Sequence, residues 1–410
     1  MSKNSNVAKN SIMLIALNVA KIIFPFMTLP YLTRVLSTDS YGTVAYVKAL
    51  MGYMQVLVDY GFMLSGTKMV VEAGENKEKI GRIIGDVTFI RILLGICGMI
   101  IVMICCLKIP LLHHNFIFVL LSYIVVFLSI FLMDFLFRGI EKMEIITLRF
   151  VIMKGISTFL TFICVKSDEN ILLIPMLDII STIIAILAII YEIKKMDISI
   201  SFSNISMCWL FFKESSIYFI SSVASVSFNA FNTIVLGIVL STTDIAYWSI
   251  CVQIISAIQM LYTPVSDALY PEMVRSQDFK LIHKVLKIFI PILVLGCVFT
   301  FGLGKIGLYI IGGAKYVQAV DILRILIPVI FFGFLSVLFG WPVLGAVGLQ
   351  KQTTKSTIIS ILFQISVIIV LLIFDKITLF TIALTRSITE IILFGIRYYY
   401  FCTYKKRMAL

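Results

Sequence analysis

Twelve apolar runs follow one another along this chain, and no polar stretch between them is long enough to fold on its own. They cover roughly 11–33, 43–65, 82–106, 116–137, 146–165, 171–192, 215–239, 246–269, 286–304, 320–345, 356–374 and 379–402. A helix needs about 20 mostly apolar residues to cross a bilayer, and most of these runs meet that length. The longest connections, 193–214, 272–286 and 304–319, leave no room for an extramembrane catalytic module. Hydrophobic residues make up 60% of the chain and mean hydropathy is +1.06, above the apolar content of about 45 to 50% usual in soluble domains. The expected fold class is an all-α integral membrane protein of about 12 transmembrane helices. The first run is too long for a signal peptide and carries Lys21, so it is expected to stay as a span.

The chain also repeats itself. Val35-Leu36-Ser37-Thr38-Asp39 returns as Val239-Leu240-Ser241-Thr242-Thr243-Asp244, 204 residues on, close to half of 410. The same offset lays the second span on the eighth, the third on the ninth and the fourth on the tenth. Two parallel six-helix lobes follow, related by an axis along the membrane normal and enclosing a central cavity lined chiefly by spans 1, 2, 7 and 8. The expected boundaries are residues 1–192 for the N-terminal lobe, 193–214 for a cytoplasmic linker and 215–410 for the C-terminal lobe.

Charge within the spans is what points to function. A Lys in lipid costs about 2.5 to 3.5 kcal/mol on insertion scales, so it should face protein or a wet cavity. Asn18, Lys21, Pro25 and Thr28 step by three or four along span 1 and share a face, as do Lys48, Gly52, Gln55 and Asp59 along span 2. The 204-residue offset carries the first stripe onto Ser222, Ser225, Asn229 and Asn232, and Gln55 onto Gln259. Arg91, Lys154, Arg386 and Glu390 lie deep as well. Arg386 and Glu390 are an i, i+4 pair expected to neutralise each other, and Arg91 and Lys154 are expected either to pair with Asp86 or another acid, or to serve the cavity. Asp86, Arg149, Asp267 and Arg397 fall near the cytoplasmic ends and Arg324 near the outer end, where snorkelling to water is expected. Cations outnumber acids among the deepest groups, which suits an anionic head group such as a pyrophosphate.

Positive charge also sets the orientation. With both termini cytoplasmic, the outer loops hold only Arg34, Lys108, Lys166, Lys305, Lys315 and Lys376 of the 34 Lys and Arg. The net charge of +12 then reports topology and anionic lipid, not nucleic acid, for which no soluble basic module exists. The eight cysteines show no CxxC pair, and the three histidines, His113, His114 and His283, lack metal-ligand spacing. No metal and no cofactor are expected beyond a coupling ion, H+ or Na+.

The run Phe24-Pro25-Phe26-Met27-Thr28-Leu29-Pro30-Tyr31-Leu32-Thr33-Arg34-Val35-Leu36, followed by Tyr41-Gly42 and by Leu57-Val58-Asp59-Tyr60-Gly61-Phe62, resembles the N-terminal signature of the Wzx-type flippases of bacterial polysaccharide synthesis. These belong to the multidrug/oligosaccharidyl-lipid/polysaccharide exporter superfamily. The resemblance implies a multi-pass protein of the bacterial cytoplasmic membrane. It would be a transporter and not an enzyme, moving an undecaprenyl-pyrophosphate-linked oligosaccharide repeat unit outward by alternating access for O-antigen or capsule assembly. Membrane lipids and the polysaccharide polymerase machinery are the partners it implies. On that reading the anion meets Lys21 and Lys48, with Asn18, Gln55, Asp59, Arg91, Lys154 and Arg386 beside them, while Asn229, Asn232, Gln253 and Gln259 offer hydrogen bonds to sugar. Two rivals stand against it. A drug or cation antiporter of the same superfamily would use Asp59, Asp134, Asp178 and Glu390, and a polysaccharide polymerase or ligase would need a larger outer loop than this chain has.

Overall fold

The structure, a computed structural model, describes residues 3–276 and 278–408, apart from the side chains of 3–8, 11, 229, 263 and 406–408. The regular elements among them are helical. The chain forms two units, one reaching to Val226 and one beginning at Ser227. The first contains α1 (Lys3–Val35), α2 (Thr38–Asp59), α3 (Phe62–Ala73), α4 (Lys77–Lys108), the short α5 (Pro110–His114), α6 (Phe116–Leu128), α7 (Asp134–Gly139), α8 (Met143–Cys164) and α9 (Leu173–Lys195). Helix α10 (Ile205–Val239) runs from the first unit into the second. The second continues with α11 (Thr242–Met260), α12 (Tyr262–Ser276), α13 (Phe279–Gly312), α14 (Val320–Ile325), α15 (Ile327–Leu338), α16 (Gln350–Ile373) and α17 (Leu379–Met408).

The repeated Val-Leu-Ser-Thr motif has a local physical meaning. Val35 and Val239 end α1 and α10, and Ser37 and Ser241 are the N-caps of α2 and α11. Ser37 Oγ accepts from the Ser40 amide at 3.1 Å. Ser241 Oγ accepts from the Asp244 amide at 3.2 Å, and the Asp244 carboxylate accepts from the Ser241 amide in return. Each cap satisfies backbone N–H groups that the helix start leaves open, so the repeat marks equivalent turns in the two units.

Among the described residues, ten helices are long and apolar enough to cross a membrane, or eleven with the bent α10 counted as one span. The remaining expected span, 43–65, is not one helix. It breaks at Tyr60 (φ 41°) and Gly61 (φ 79°), giving α2 and α3. A Cβ at Gly61 would overlap the Tyr218 side chain, so both the left-handed backbone and the close approach require glycine. The expected span 116–137 is also interrupted, by a 3-10 turn at Ser129–Leu132 and left-handed Met133 (φ 48°) between α6 and α7. The end of the tenth span winds as a π-helix over Phe339–Gly345, with Gly340 off helical geometry and Pro342 inside it. All three breaks expose carbonyl groups that need donors.

The segment expected as a cytoplasmic linker is held to the first unit. Beyond α9, residues 198–204, outside any helix, pass along the start of α4, where the Ser201 amide donates to Gly81 O at 3.3 Å and the Ser203 amide to Asp86 Oδ1 at 2.9 Å. Side chains at Gly81 or Gly85 would collide with the Ser199 and Ser201 carbonyls, and a small-xxx-small seam is what lets backbones approach this closely. The core of the unit lies nearby, with Phe62, Val70, Ile84, Phe135, Leu136 and Ile189 buried together. In contrast α13 exposes Ile292, Leu295, Phe299, Ile306 and Ile310, a face that suits lipid.

Candidate functional site

The polar stripe of α2 is the site's backbone. Space lies open around Gly52, where an added Cβ would meet nothing within 4 Å. One turn earlier the Lys48 side chain is exposed. Toward the break, Gln55 Nε2 donates to Asp59 Oδ2 and to Ser129 Oγ, each at 3.0 Å. Asp59 Oδ1 in turn accepts from Arg91 at 2.7 Å. A cavity of about 90 Å³ lies among Gln55, Asp59, Arg91, Ser129 and Asp134.

Arg91 works chiefly on backbone. Buried on α4, its guanidinium reaches Val58 O at 3.3 Å and Ile130 O at 3.0 Å, one carbonyl from each of the two breaks. A flat five-donor fork can serve both carbonyls and the Asp59 carboxylate at once. Arg149 on α8 does the same at the second break, pairing with Asp134 at 2.7 Å and donating to Leu132 O at 2.9 Å. The repeat has its own version: Ser336, 204 residues after Leu132, gives its carbonyl to Arg397, which also donates to Ser356 Oγ at 3.1 Å and Thr357 Oγ1 at 3.0 Å. Arg149, Arg397 and Asp86 are buried, not snorkelling as their positions suggested, because broken helices and the docked segment supply polar partners inside the fold. Asp267 is exposed, and Arg324 pairs with Asp321 at 3.2 Å.

A second cluster joins α8 and α9. Asp178 Oδ1 accepts from Lys154 Nζ and from Ser157 Oγ, each at 2.8 Å. Lys48 is near enough for its charge to act on both Lys154 and Asp178, yet it forms no hydrogen bond or ion pair among the described residues. Lys21, on α1, is exposed too, with its ammonium 5.9 Å from the Phe150 ring centre, at the limit of a cation–π contact. Asn18 beside it is exposed.

The second unit offers less open polarity than expected. Asn232 is fully buried, its Oδ1 accepting from Gln364 at 3.1 Å and its Nδ2 donating to Phe228 O at 3.3 Å, so it joins α10 to α16. Gln259 is half-buried, reaching Val329 O at 3.4 Å across the space that Gly333 leaves. Gln253, also half-buried, donates to Ser249 Oγ at 3.1 Å. The Asn229 side chain lies outside the described residues. Arg386 and Glu390 do pair, at 2.6 Å, both buried, with the guanidinium 5.3 Å from the Phe228 ring centre.

The expected site residues therefore sort by charge. Arg91 with Asp59, Arg149 with Asp134, Lys154 with Asp178 and Arg386 with Glu390 are matched pairs, which leaves Lys21 and Lys48 as in-span lysines without an acid in ion-pair range among the described residues. The acids a cation exporter would use are the ones already neutralised. Reading the chain alone missed Ser157 and the role of Asp178; the i, i+3 spacing of Lys154 and Ser157 was the available signal.

Helical units with broken membrane-length spans, carrying unmatched lysines on the stripes of α1 and α2, fit a polytopic membrane protein of the transporter class. Its fold matches a solved lipid II flippase, MurJ, in an inward closed conformation, with a TM-score of 0.73 and 16% identity over 96% of this chain and 87% of that one. It also matches an inward-facing multidrug resistance MATE family transporter of the MOP superfamily, with a TM-score of 0.69 and 14% identity over 96% of this chain and 99% of that one. Residues 7–277 match the family model described as polysaccharide biosynthesis protein, and the chain belongs to that family. Among curated relatives, a putative O-antigen transporter of Escherichia coli K12 is 26% identical over 390 residues, 92% of this chain and 91% of that protein. Another from Shigella dysenteriae is 26% identical over 310 residues, 73% of this chain and 75% of that protein. The matched range includes residues 24–62, the stretch that carries the resemblance to the Wzx-type flippases.

Proposed function

We propose that this protein flips an undecaprenyl-pyrophosphate-linked oligosaccharide repeat unit across the bacterial cytoplasmic membrane, by alternating access, for O-antigen or capsule assembly. The observation that carries the reading is the pair of unmatched in-span lysines, Lys21 and Lys48, left over once the neighbouring acids are paired. Such charge is retained in lipid only where it serves something, and a diphosphate fits its sign. Relatives named as O-antigen transporters and the fold shared with a lipid II flippase support the same substrate class. A polysaccharide polymerase is the partner that would consume the flipped unit on the outer side.

Deleting the gene in its host is expected to remove surface polysaccharide and to build up the lipid-linked unit on the inner leaflet, with both effects reversed by a plasmid copy. Normal surface polysaccharide in the deletion strain would rule the reading out. Cytoplasmic termini are part of the proposal, from the Lys and Arg distribution. Ile205, exposed at the start of α10, supplies the test. In a background without the native cysteines, Ile205→Cys should react with an impermeant maleimide only after the membrane is opened. Labelling of intact cells would invert the topology.

A further inference from the structure

Asp178 has no place in that reading, yet it sits against the site. Its carboxylate holds the Lys154 ammonium at 2.8 Å and is itself fixed by Ser157 Oγ at 2.8 Å. The pair is not sealed: side-chain exposure is 34% for Lys154 and 27% for Asp178, against 6% for both members of the Arg386–Glu390 pair. An ion pair whose members both reach open space is one that a third charged group can enter. Lys48 is near enough for its charge to act on both members and has no acid of its own among the described residues, so Lys48, Lys154 and Asp178 together carry a net single positive charge.

We propose that Asp178 is a built-in stand-in for the substrate's phosphate. It occupies Lys154 while the site is empty, gives that lysine up when an anionic diphosphate bridges Lys48 and Lys154, and takes it back to expel the anion on release. The proposal rests on the flippase reading above and adds to it a residue that tunes release. A carrier's site must be attractive enough to load and weak enough to empty, as in conduction through successive ion sites. Two lysines without a competitor would hold a diphosphate too long, because charge-assisted contacts in a desolvated site are strong. A carboxylate in place of the leaving phosphate keeps Lys154 partnered at every stage, so that ammonium is never left bare in the bilayer.

The test is inorganic pyrophosphate binding by the purified full chain, set beside transport of a lipid pyrophosphate in vesicles of phosphatidylethanolamine and phosphatidylglycerol. Asp178→Asn keeps the shape and removes the competing charge. It is expected to bind pyrophosphate about tenfold more tightly and to transport more slowly than the wild type, whereas a merely structural residue would lower both. Lys154→Met should weaken binding. Should Asp178→Asn fail to fold, Ser157→Ala loosens the same carboxylate and should tighten binding in the same direction. Unchanged or weaker binding in a folded Asp178→Asn, or in Ser157→Ala where that is the variant available, overturns the proposal while leaving the flippase reading intact. A wild-type protein that binds no pyrophosphate overturns both.

Discussion

Replacing Arg91 with methionine is expected to destabilise the protein by about 1 to 3 kcal/mol for each buried carbonyl it leaves unmet, with a smaller share from Asp59, whose side chain is 38% exposed. The guanidinium serves four acceptors: Asp59 Oδ1 at 2.7 Å, Val58 O at 3.3 Å, Ile130 O at 3.0 Å and Ser129 O at 3.5 Å. Methionine fills the volume and supplies no donor, so the carbonyls at the helix breaks lose this partner and Asp59 is left with the Gln55 amide. In water such groups would rehydrate; within a bundle in lipid each unmet one costs free energy. Arg91→Lys should recover little, since one ammonium cannot reach two carbonyls and a carboxylate in the plane of a fork. Thermal unfolding in detergent of the wild type and both variants reads this directly. Melting of Arg91→Met alongside the wild type would show that the two breaks are held by something else.

The second large effect concerns transport and leaves the fold alone. Lys21 and Lys48 are exposed and hold no ion pair among the described residues, so replacing both with alanine removes no internal contact of consequence. Each contact of an ammonium with a phosphate contributes about 1.5 to 3 kcal/mol, and losing two should lower substrate affinity by about a hundredfold or more. The double variant is therefore expected to reach the membrane in normal amount and to lose transport.

How far the chain alone revealed this depends on whether partners are near in sequence. Arg386 and Glu390 lie one helical turn apart, and their pairing follows from the helix repeat. Arg91 and Asp59 are 32 residues apart on different helices, and Lys154 and Asp178 are 24 apart. Periodicity places such groups on a helix face but does not say which neighbour that face meets. The break at Tyr60-Gly61 was hidden for a related reason, because apolar residues flank it on both sides, Leu57-Val58 before and Phe62-Met63-Leu64 after, and hydropathy does not register a left-handed backbone. Asn232 shows the opposite failure. The internal repeat put it in a polar stripe matching that of span 1, yet its amide is spent on Gln364, since a repeat preserves helix layout without preserving which polar groups stay open. The Ser37 and Ser241 caps, in contrast, were legible as a motif because capping is local.

Movement of a lipid diphosphate through Lys21 and Lys48 can be followed in vesicles. The most direct measurement places the purified protein in vesicles carrying a fluorescent polyprenyl-pyrophosphate oligosaccharide and follows its arrival in the outer leaflet with an impermeant quencher. Transfer should be fast with the wild type, no faster than in protein-free vesicles with the Lys21→Ala, Lys48→Ala double variant, and absent for an uncharged polyprenyl glycoside. Transfer at the wild-type rate by a folded double variant, or equal transfer of the uncharged lipid, would show that the two lysines do not carry a diphosphate across.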